Sequence, residues 1–216
     1  MNENHHINSK NVSRETLEYV GALIDSYQEK LDKYAELLLW WNKKVNLLSR
    51  QTTKQEIEKH IVHSLFLSIS SLFPKHNYLV DIGTGGGLPG IPLAICFPDK
   101  NFILIDRVSK KTAAVHDMIS QLGLSNAKSE CVDMNMFHVE HPVAWISKHA
   151  IKLDDFIQST TKQQWYTAFF LKGEDFEEDL NKVILPLNII SYNLESAMKD
   201  PFYKGKHVLQ IRKNES

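Results

Sequence analysis

The chain has 216 residues, 43% of them hydrophobic, which is enough for one sizeable core and excludes a disordered or fibrous protein. With 25 Lys and Arg against 26 Asp and Glu, the net charge of -1 excludes gripping a polyanion through overall charge and leaves nucleic-acid binding to a local patch. Cys96 and Cys131 stand 35 residues apart with no CxxC, which argues against a disulfide framework or a zinc site and for a reducing compartment.

The first sixteen residues are polar and lack the apolar stretch of a secretory signal, so a cytoplasmic protein is expected, with His5 and His6 in a disordered tail. From Leu17, apolar residues fall at 17, 20, 24, 27, 31, 34, 38 and 41 in alternating steps of three and four, which predicts one long helix with Ser13 as its N-cap. Tyr27, Tyr34 and Trp41 are bulky for the seam of a two-stranded coiled coil, so this helix is expected to pack on its own chain, and a monomer is expected. A second helix is predicted from Thr53 to Leu72, ended by Pro74. Residues 1–76 therefore read as an all-helical extension packed on a core domain of residues 77–216.

After Pro74 the texture changes to short apolar runs at 78–82, 102–105, 144–147 and 166–171, separated by segments with helical spacing. This alternation predicts an α/β fold, a mostly parallel sheet with helices on both faces. Ser109 to Leu122, opened by Ser109 as cap and closed by Gly123, is the clearest crossover helix. Residues 187–194 and 207–211 read as two further strands. The longest uncharged run lies between Asp81 and Asp99, but it holds five of the nine glycines and three of the seven prolines, which a membrane-spanning helix would not tolerate.

That run begins Leu79-Val80-Asp81-Ile82-Gly83-Thr84-Gly85-Gly86-Gly87-Leu88-Pro89-Gly90, a strand entering a glycine loop and then a helix. Asp106 ends the next strand, 19 residues after Gly87, where a carboxylate accepts hydrogen bonds from both hydroxyls of a ribose. Loop and acid together specify an adenosine-type cofactor. Gly85-x-Gly87-x-x-Gly90 satisfies the dinucleotide pattern and Asp81-x-Gly83-x-Gly85-x-Gly87 the S-adenosylmethionine pattern, so spacing alone does not separate them. S-adenosylmethionine is favoured because Asp81 at the strand's end suits an ammonium and a sulfonium and would sit poorly beside a pyrophosphate.

Several segments resemble the bacterial ribosomal RNA small subunit methyltransferase G family, also called glucose-inhibited division protein B. They are Trp41-Asn42-Lys43-Lys44-Val45-Asn46-Leu47, then His60 with Ser64-Leu65, then Gly83 through Leu93, then Leu171-Lys172-Gly173. The resemblance implies a Rossmann-like S-adenosylmethionine-dependent methyltransferase fold. It also implies transfer of methyl to guanine N7 in 16S ribosomal RNA, with that RNA or the small subunit as partner. It places Gly83 and Leu88 on the cofactor loop with Thr84, Gly85 and Gly87, Asp106 at the ribose, and Val132 and Asp133 beside the adenine. Where the family pattern has Ser or Ala, then Arg, then Ala, this chain reads Ser147-Lys148-His149, and His63 replaces an Asp before Ser-Leu. Arg107 and Ser109 replace the commoner Ser and Gly beside the acid.

Guanine N7 carries a free lone pair at neutral pH, so the reaction needs alignment and water exclusion and no general base. Asp81 and the loop are accordingly assigned to placing the cofactor. Lys148 and Lys172 are assigned to holding a phosphate or the methionine carboxylate near the methyl group. The acids from Glu174 to Asp179 read as a solvated helix start. Lys43, Lys44, Arg50 and Lys54, and Lys204, Lys206, Arg212 and Lys213, are two basic stretches suited to phosphates, with Trp40 and Trp41 beside the first. The pairs His60/His63 and His138/His141 have ligand-like spacing without a third partner, so no metal is expected. A methyltransferase acting on a small molecule or protein, and a catalytically silent cofactor-binding module, are the competing readings.

Overall fold

The computed structural model describes residues 5–161, 163 and 165–213. Its strands are β1 (His5–Asn11), β2 (Tyr78–Ile82), β3 (Asn101–Asp106), β4 (Ala127–Cys131), β5 (Val143–Lys148), β6 (Trp165–Lys172), β7 (Leu187–Asn193) and β8 (His207–Lys213). They form one sheet in the order β1-β7-β8-β6-β5-β2-β3-β4, parallel throughout except for β8, which runs antiparallel to β6 and β7. From β2 the chain moves outward to β3 and β4, and from β5 it moves outward the other way. The crevice between the carboxyl ends of β2 and β5 is therefore the topological switch point, where open α/β sheets bind ligands.

The predicted strand runs all fall on strands. Sequence reasoning passed over β4, an edge strand whose residues Ala-Lys-Ser-Glu-Cys carry no apolar alternation. It also placed His5 and His6 in a tail, whereas both belong to β1, paired in parallel with β7. His5 Nε2 lies 3.1 and 3.0 Å from the carbonyl oxygens of Leu180 and Val183. The N-terminal segment is thus not all helical.

Helix α1 (Arg14–Asn42) starts at Ser13, whose Oγ accepts from Thr16 N at 3.2 Å, and it kinks at Tyr27. It lies across α3 (Gly90–Cys96) and α4 (Ser109–Leu122). Helix α2 (Lys54–Leu65) opens with a reciprocal Thr53–Glu56 capping box. It ends at Leu65 instead of Leu72. There Ser64 Oγ donates back to His60 O, Ser68 Oγ donates to Leu65 O in a 3₁₀ turn, and Ser70 Oγ donates to Gln210 Oε1 of β8 at 2.5 Å. Helix α4 ends in the left-handed Gly123 as predicted, but Ser109 does not cap it: Val108 holds that position, its N–H donating to Asp106 Oδ1.

Helix α5 (Leu153–Ser159) and helix α6 (Phe176–Leu180) cover the opposite face. Strand alternation feeds two cores. Ala144, Ile146, Phe169 and Leu171 face α1 to α4, whereas Trp145, Ala168 and Phe170 face α5 with Phe156 and Trp165. Trp145 is fully buried between Phe137 and Phe156, and truncating it to alanine would cost about 3–5 kcal/mol.

Candidate active site

The glycine loop is held from three directions. Beneath it, Asp81 is fully buried and its Oδ2 accepts from Thr84 Oγ1 at 2.6 Å and from Gly90 N, the start of α3, at 3.0 Å. From β3, Asp106 Oδ2 accepts from Gly85 N at 3.1 Å, and Ile105 O accepts from Thr84 N at 3.0 Å. From α1, Tyr34 donates its hydroxyl to Gly86 O at 2.9 Å, while Leu38 and Leu47 pack so closely that a Cβ at Gly86 would lie 2.6 Å from Leu38 Cδ1. The N-terminal helix is therefore part of the loop's support, a role nothing in its heptad spacing distinguishes from ordinary packing. Gly83 takes φ +65, and a Cβ there would meet Ala150 Cβ at 2.5 Å, so only glycine lets the loop pass the residues after β5.

A cleft of about 560 Å³ opens at the switch point. Gly83, Asp106, Val132, Asp133, Ala150 and Asp155 are among the residues that line it. Four of the expected cofactor residues thus meet around one volume. The other six are not part of that lining: Asp81, Thr84, Gly85, Gly87 and Leu88 frame the loop behind it, and Lys148 ends β5. Burial pushes the Asp81 carboxyl up to about 7, opposed by its bonds to Thr84 and Gly90, and its Oδ1 has no hydrogen-bond partner among the described residues. Val132 N already donates to Asp106 O at 3.1 Å, so its N–H is not free for a base. Asp133 Oδ1 accepts from Asn135 N at 2.9 Å and caps a 3₁₀ turn. Ala150, Asp155 and Gln158 escaped sequence reasoning because they lie after β5 and in α5, with no motif to mark them.

Lys148 ends β5 and is half-buried. Among the described residues its ammonium makes no hydrogen bond or ion pair. Burial first, and then Lys206, push it down to about 8, while Asp81 opposes the shift. Lys172, expected beside it, is placed differently. At the end of β6 its Nζ donates to Ile151 O at 2.7 Å and to Asp179 Oδ2 at 2.9 Å. It lines a second cavity of about 330 Å³ that shares Ala150, Ile151 and Asp155 with the first. Asp179 is thereby an internal partner and not only a solvated charge. Ser147 Oγ donates to Ile82 O at 3.0 Å and ties β5 to β2 at the crevice.

Of the first basic stretch, Lys54 pairs with Glu36 at 3.1 Å, and Lys44 Nζ sits 3.3 Å above the Trp40 ring. Trp40 is 46% exposed, whereas Trp41 donates Nε1–H to Asp117 at 2.8 Å and packs inward. Of the second, Lys206 comes close enough to Lys148 to lower its pKa. Among the described residues no three His, Cys, Asp or Glu side chains are arranged to hold a metal ion, and no helix is long and apolar enough to cross a membrane.

The sequence model of the GidB family, described as rRNA small subunit methyltransferase G, matches residues 27–196. The chain belongs to this family. A methyltransferase G from Flavobacterium psychrophilum is 32% identical over 204 residues, covering 91% of this chain and 96% of that protein. Another from Chlorobium limicola is 48% identical over 115 residues, 53% of this chain; the chain thus spans about half the length of that relative, 50%. Among solved structures, the S-adenosylmethionine-dependent methyltransferase SibL superposes with TM-score 0.57 at 12% identity, covering 94% of this chain and 76% of that one. The 23S rRNA methyltransferase ErmE superposes with TM-score 0.50 at 13% identity, covering 71% and 68%. These likenesses establish the Rossmann-like fold of S-adenosylmethionine-dependent methyltransferases for this member of the methyltransferase G family.

Proposed function

We propose that the chain transfers a methyl group from S-adenosylmethionine to N7 of a guanine in 16S ribosomal RNA. The observation that carries this reading is the cleft at the switch point, with Asp106 on its wall and the half-buried cationic end of β5 beside it, in a chain of the methyltransferase G family. The residues present fit the cofactor. Asp106 retains acceptor capacity beyond its bonds to Gly85 and Val108 and lies where a ribose diol would be met, while Ile82, Val132 and Met134 supply apolar surface for a base. Asp81, whose Oδ1 has no partner among the described residues, stands behind the loop as an acceptor whose ionised form a bound cation would favour.

When bound, the cofactor supplies an activated methyl on a sulfonium. Everything else falls to the protein: the loop fixes one reactant, the site excludes water, and the target base is brought in line. N7 attacks with a free lone pair, so no proton has to be removed. Positive charge passes from sulfur to purine in the transition state, so an ammonium directly against N7 would oppose the reaction. Lys148 therefore faces an anion, either the methionine carboxylate or an RNA phosphate. Lys172, already paired with Asp179, acts by holding Ile151 at the wall shared by both cavities. A ribosomal substrate would place this work in the cytoplasm.

Incubating the purified chain with labelled S-adenosylmethionine and small-subunit RNA lacking the modification tests the reading. N7-methylguanine is cleaved after reduction and aniline treatment, so a single strand break should appear where label is incorporated. Label on another atom, or only on protein or small molecules, would refute it, and cofactor affinity without turnover would reveal a silent binding module.

A further inference from the structure

Five basic side chains converge at the carboxyl end of β5. His60 and His63 come from α2, Lys148 and His149 from the end of β5, and Lys206 from the segment before β8. His63 is fully buried, its ring 5.8 Å from that of His149, and both of its ring nitrogens lack a hydrogen-bond partner among the described residues, as does Nδ1 of His60. A neutral imidazole always carries one N–H donor, and native proteins rarely leave such a donor buried and unmet. Lys206 is held in place: its Nζ lies 3.4 Å above the Phe202 ring and donates to Phe202 O, but neither contact neutralises its charge. His149 adopts φ 54, a left-handed conformation uncommon outside glycine.

The acids around this cluster are partly engaged elsewhere. Asp81 acts on Lys148 from behind the loop, its Oδ2 serving Thr84 and Gly90 while its Oδ1 has no hydrogen-bond partner among the described residues. Asp200 is paired with Lys59 at 2.7 Å, and Glu56 belongs to the capping box of α2. Asp175 reaches His149 from the second cavity. Two ammonium groups thus repel each other in a half-buried place beside unmet N–H donors, an arrangement that an oxyanion between them would relieve. None of the five residues lines the larger cleft, whose lining includes Ala150, the neighbour of His149.

We propose that Lys148, Lys206 and His149, over the buried His63, form an oxyanion subsite that takes a phosphodiester group of the RNA beside the target guanine. The proposal rests on the ribosomal RNA reading and assigns the anion to the second substrate rather than to the cofactor carboxylate, because the cluster stands outside the cofactor cleft. The phosphate anchors the strand, and Ala150 and Ile151 then lead from the anchor to the cleft where the methyl waits.

Two measurements on the full chain test it. Inorganic phosphate, titrated at ionic strength held constant with chloride, should shift the imidazole carbon-bound proton signals of His63 and His149 saturably, and the response should vanish in Lys206→Met. Silent histidines in the wild type overturn the subsite. Lys206→Met should also weaken binding of unmodified small-subunit RNA about ten- to a hundredfold, the scale of a lost charge-assisted hydrogen bond. It should lower the slope of log affinity against log salt by about 0.7 to 0.9, leave S-adenosylhomocysteine affinity unchanged, and be rescued by Lys206→Arg. Weakened S-adenosylhomocysteine binding with an unchanged salt slope would assign the cluster to the cofactor carboxylate and overturn the proposal. A saturable phosphate response in a chain that methylates no RNA would overturn the RNA reading and the phosphodiester assignment with it. RNA methylation with unresponsive histidines would overturn the subsite alone.

Discussion

The two walls of the crevice are built on opposite terms. On the β2 side nearly every polar group has a partner inside the protein: Asp81 holds Thr84 and Gly90, Asp106 holds Gly85 and Val108, and Tyr34 holds Gly86. On the β5 side, among the described residues, Lys148 has no hydrogen-bond partner and His63 has none at either nitrogen. Satisfied networks fix a geometry, and unsatisfied cationic ones store a demand for a counter-charge. The contrast teaches that the first wall is finished before any ligand arrives, whereas the second is completed by something negative.

The largest expected effect breaks the finished wall. Gly83→Val forces a branched side chain into φ +65 and drives its Cβ to 2.5 Å from Ala150 Cβ. The strain alone amounts to about 1–3 kcal/mol, and the clash adds to it. Calorimetry should show S-adenosylhomocysteine binding weakened by at least about a hundredfold in a variant whose circular dichroism stays native-like. Gly85→Val works through backbone strain only, since a Cβ there finds nothing nearer than 3.8 Å, and its loss should be the smaller of the two.

Next comes the unfinished wall. Lys148→Met should cost about 1.5–3 kcal/mol of transition-state stabilisation, or roughly ten- to a hundredfold in methylation rate, with Lys148→Arg retaining most activity. Single-turnover assays decide this. A Met variant equal to wild type in turnover, cofactor affinity and salt dependence would reduce Lys148 to surface charge.

A subtler experiment reads the same wall through pH. Burial first, then Lys148, His149, Lys206 and His60, hold His63 well below its ordinary 6.5. Burial and Lys148 likewise hold His60 at about 3, Glu56 opposing weakly, and His149 at about 4, with Asp175 opposing. Imidazoles depressed in the folded state contribute stability that is present above the unfolded value of 6.5 and lost as pH falls through the folded values. Asp81 acts in the opposite sense: raised from 3.8 to about 7, its stabilisation is full below 3.8 and lost as pH rises through 7. Thermal midpoints measured from pH 7 down to 4 should fall less steeply in His63→Gln than in wild type. Parallel acid limbs would mean that the folded protein does not resist charging His63.

The smallest effect sharpens the first wall. Tyr34→Phe removes one buried hydroxyl bond to Gly86 O and should cost about 1 kcal/mol in chemical denaturation with little change in m-value.

Much of the fold could be read from the chain because its interior strands are continuous apolar runs and its long helices keep their spacing. The misses share a cause. β1 and β4 lie at the two edges of the sheet, where one side needs no apolar cover, so His5–Asn11 and Ala127–Cys131 carry no period to detect. At the site, Gly83 and Asp106 were legible as a strand, loop and acid at fixed spacing, whereas Val132 and Asp133 came only from the family resemblance. The convergence of His63, Lys148, His149 and Lys206 was not, because it joins α2, β5 and the approach to β8 across more than 140 residues of chain. The pairing of Lys172 with Asp179 was hidden because a run of acids before and within a short helix looks the same whether or not one of them turns inward.

The parallel seam between β1 and β7 also sets an order of assembly. Residues 5–11 are synthesised long before residues 187–193, so β1 cannot pair with β7 until nearly all of the sheet has been made. Five of its seven positions stay exposed, so its docking gains little apolar burial. A seam that buries so little is among the first to open under native conditions. When it parts, the bare edge of β7 becomes a template for another strand, a hazard confined to the side of the sheet farthest from the crevice.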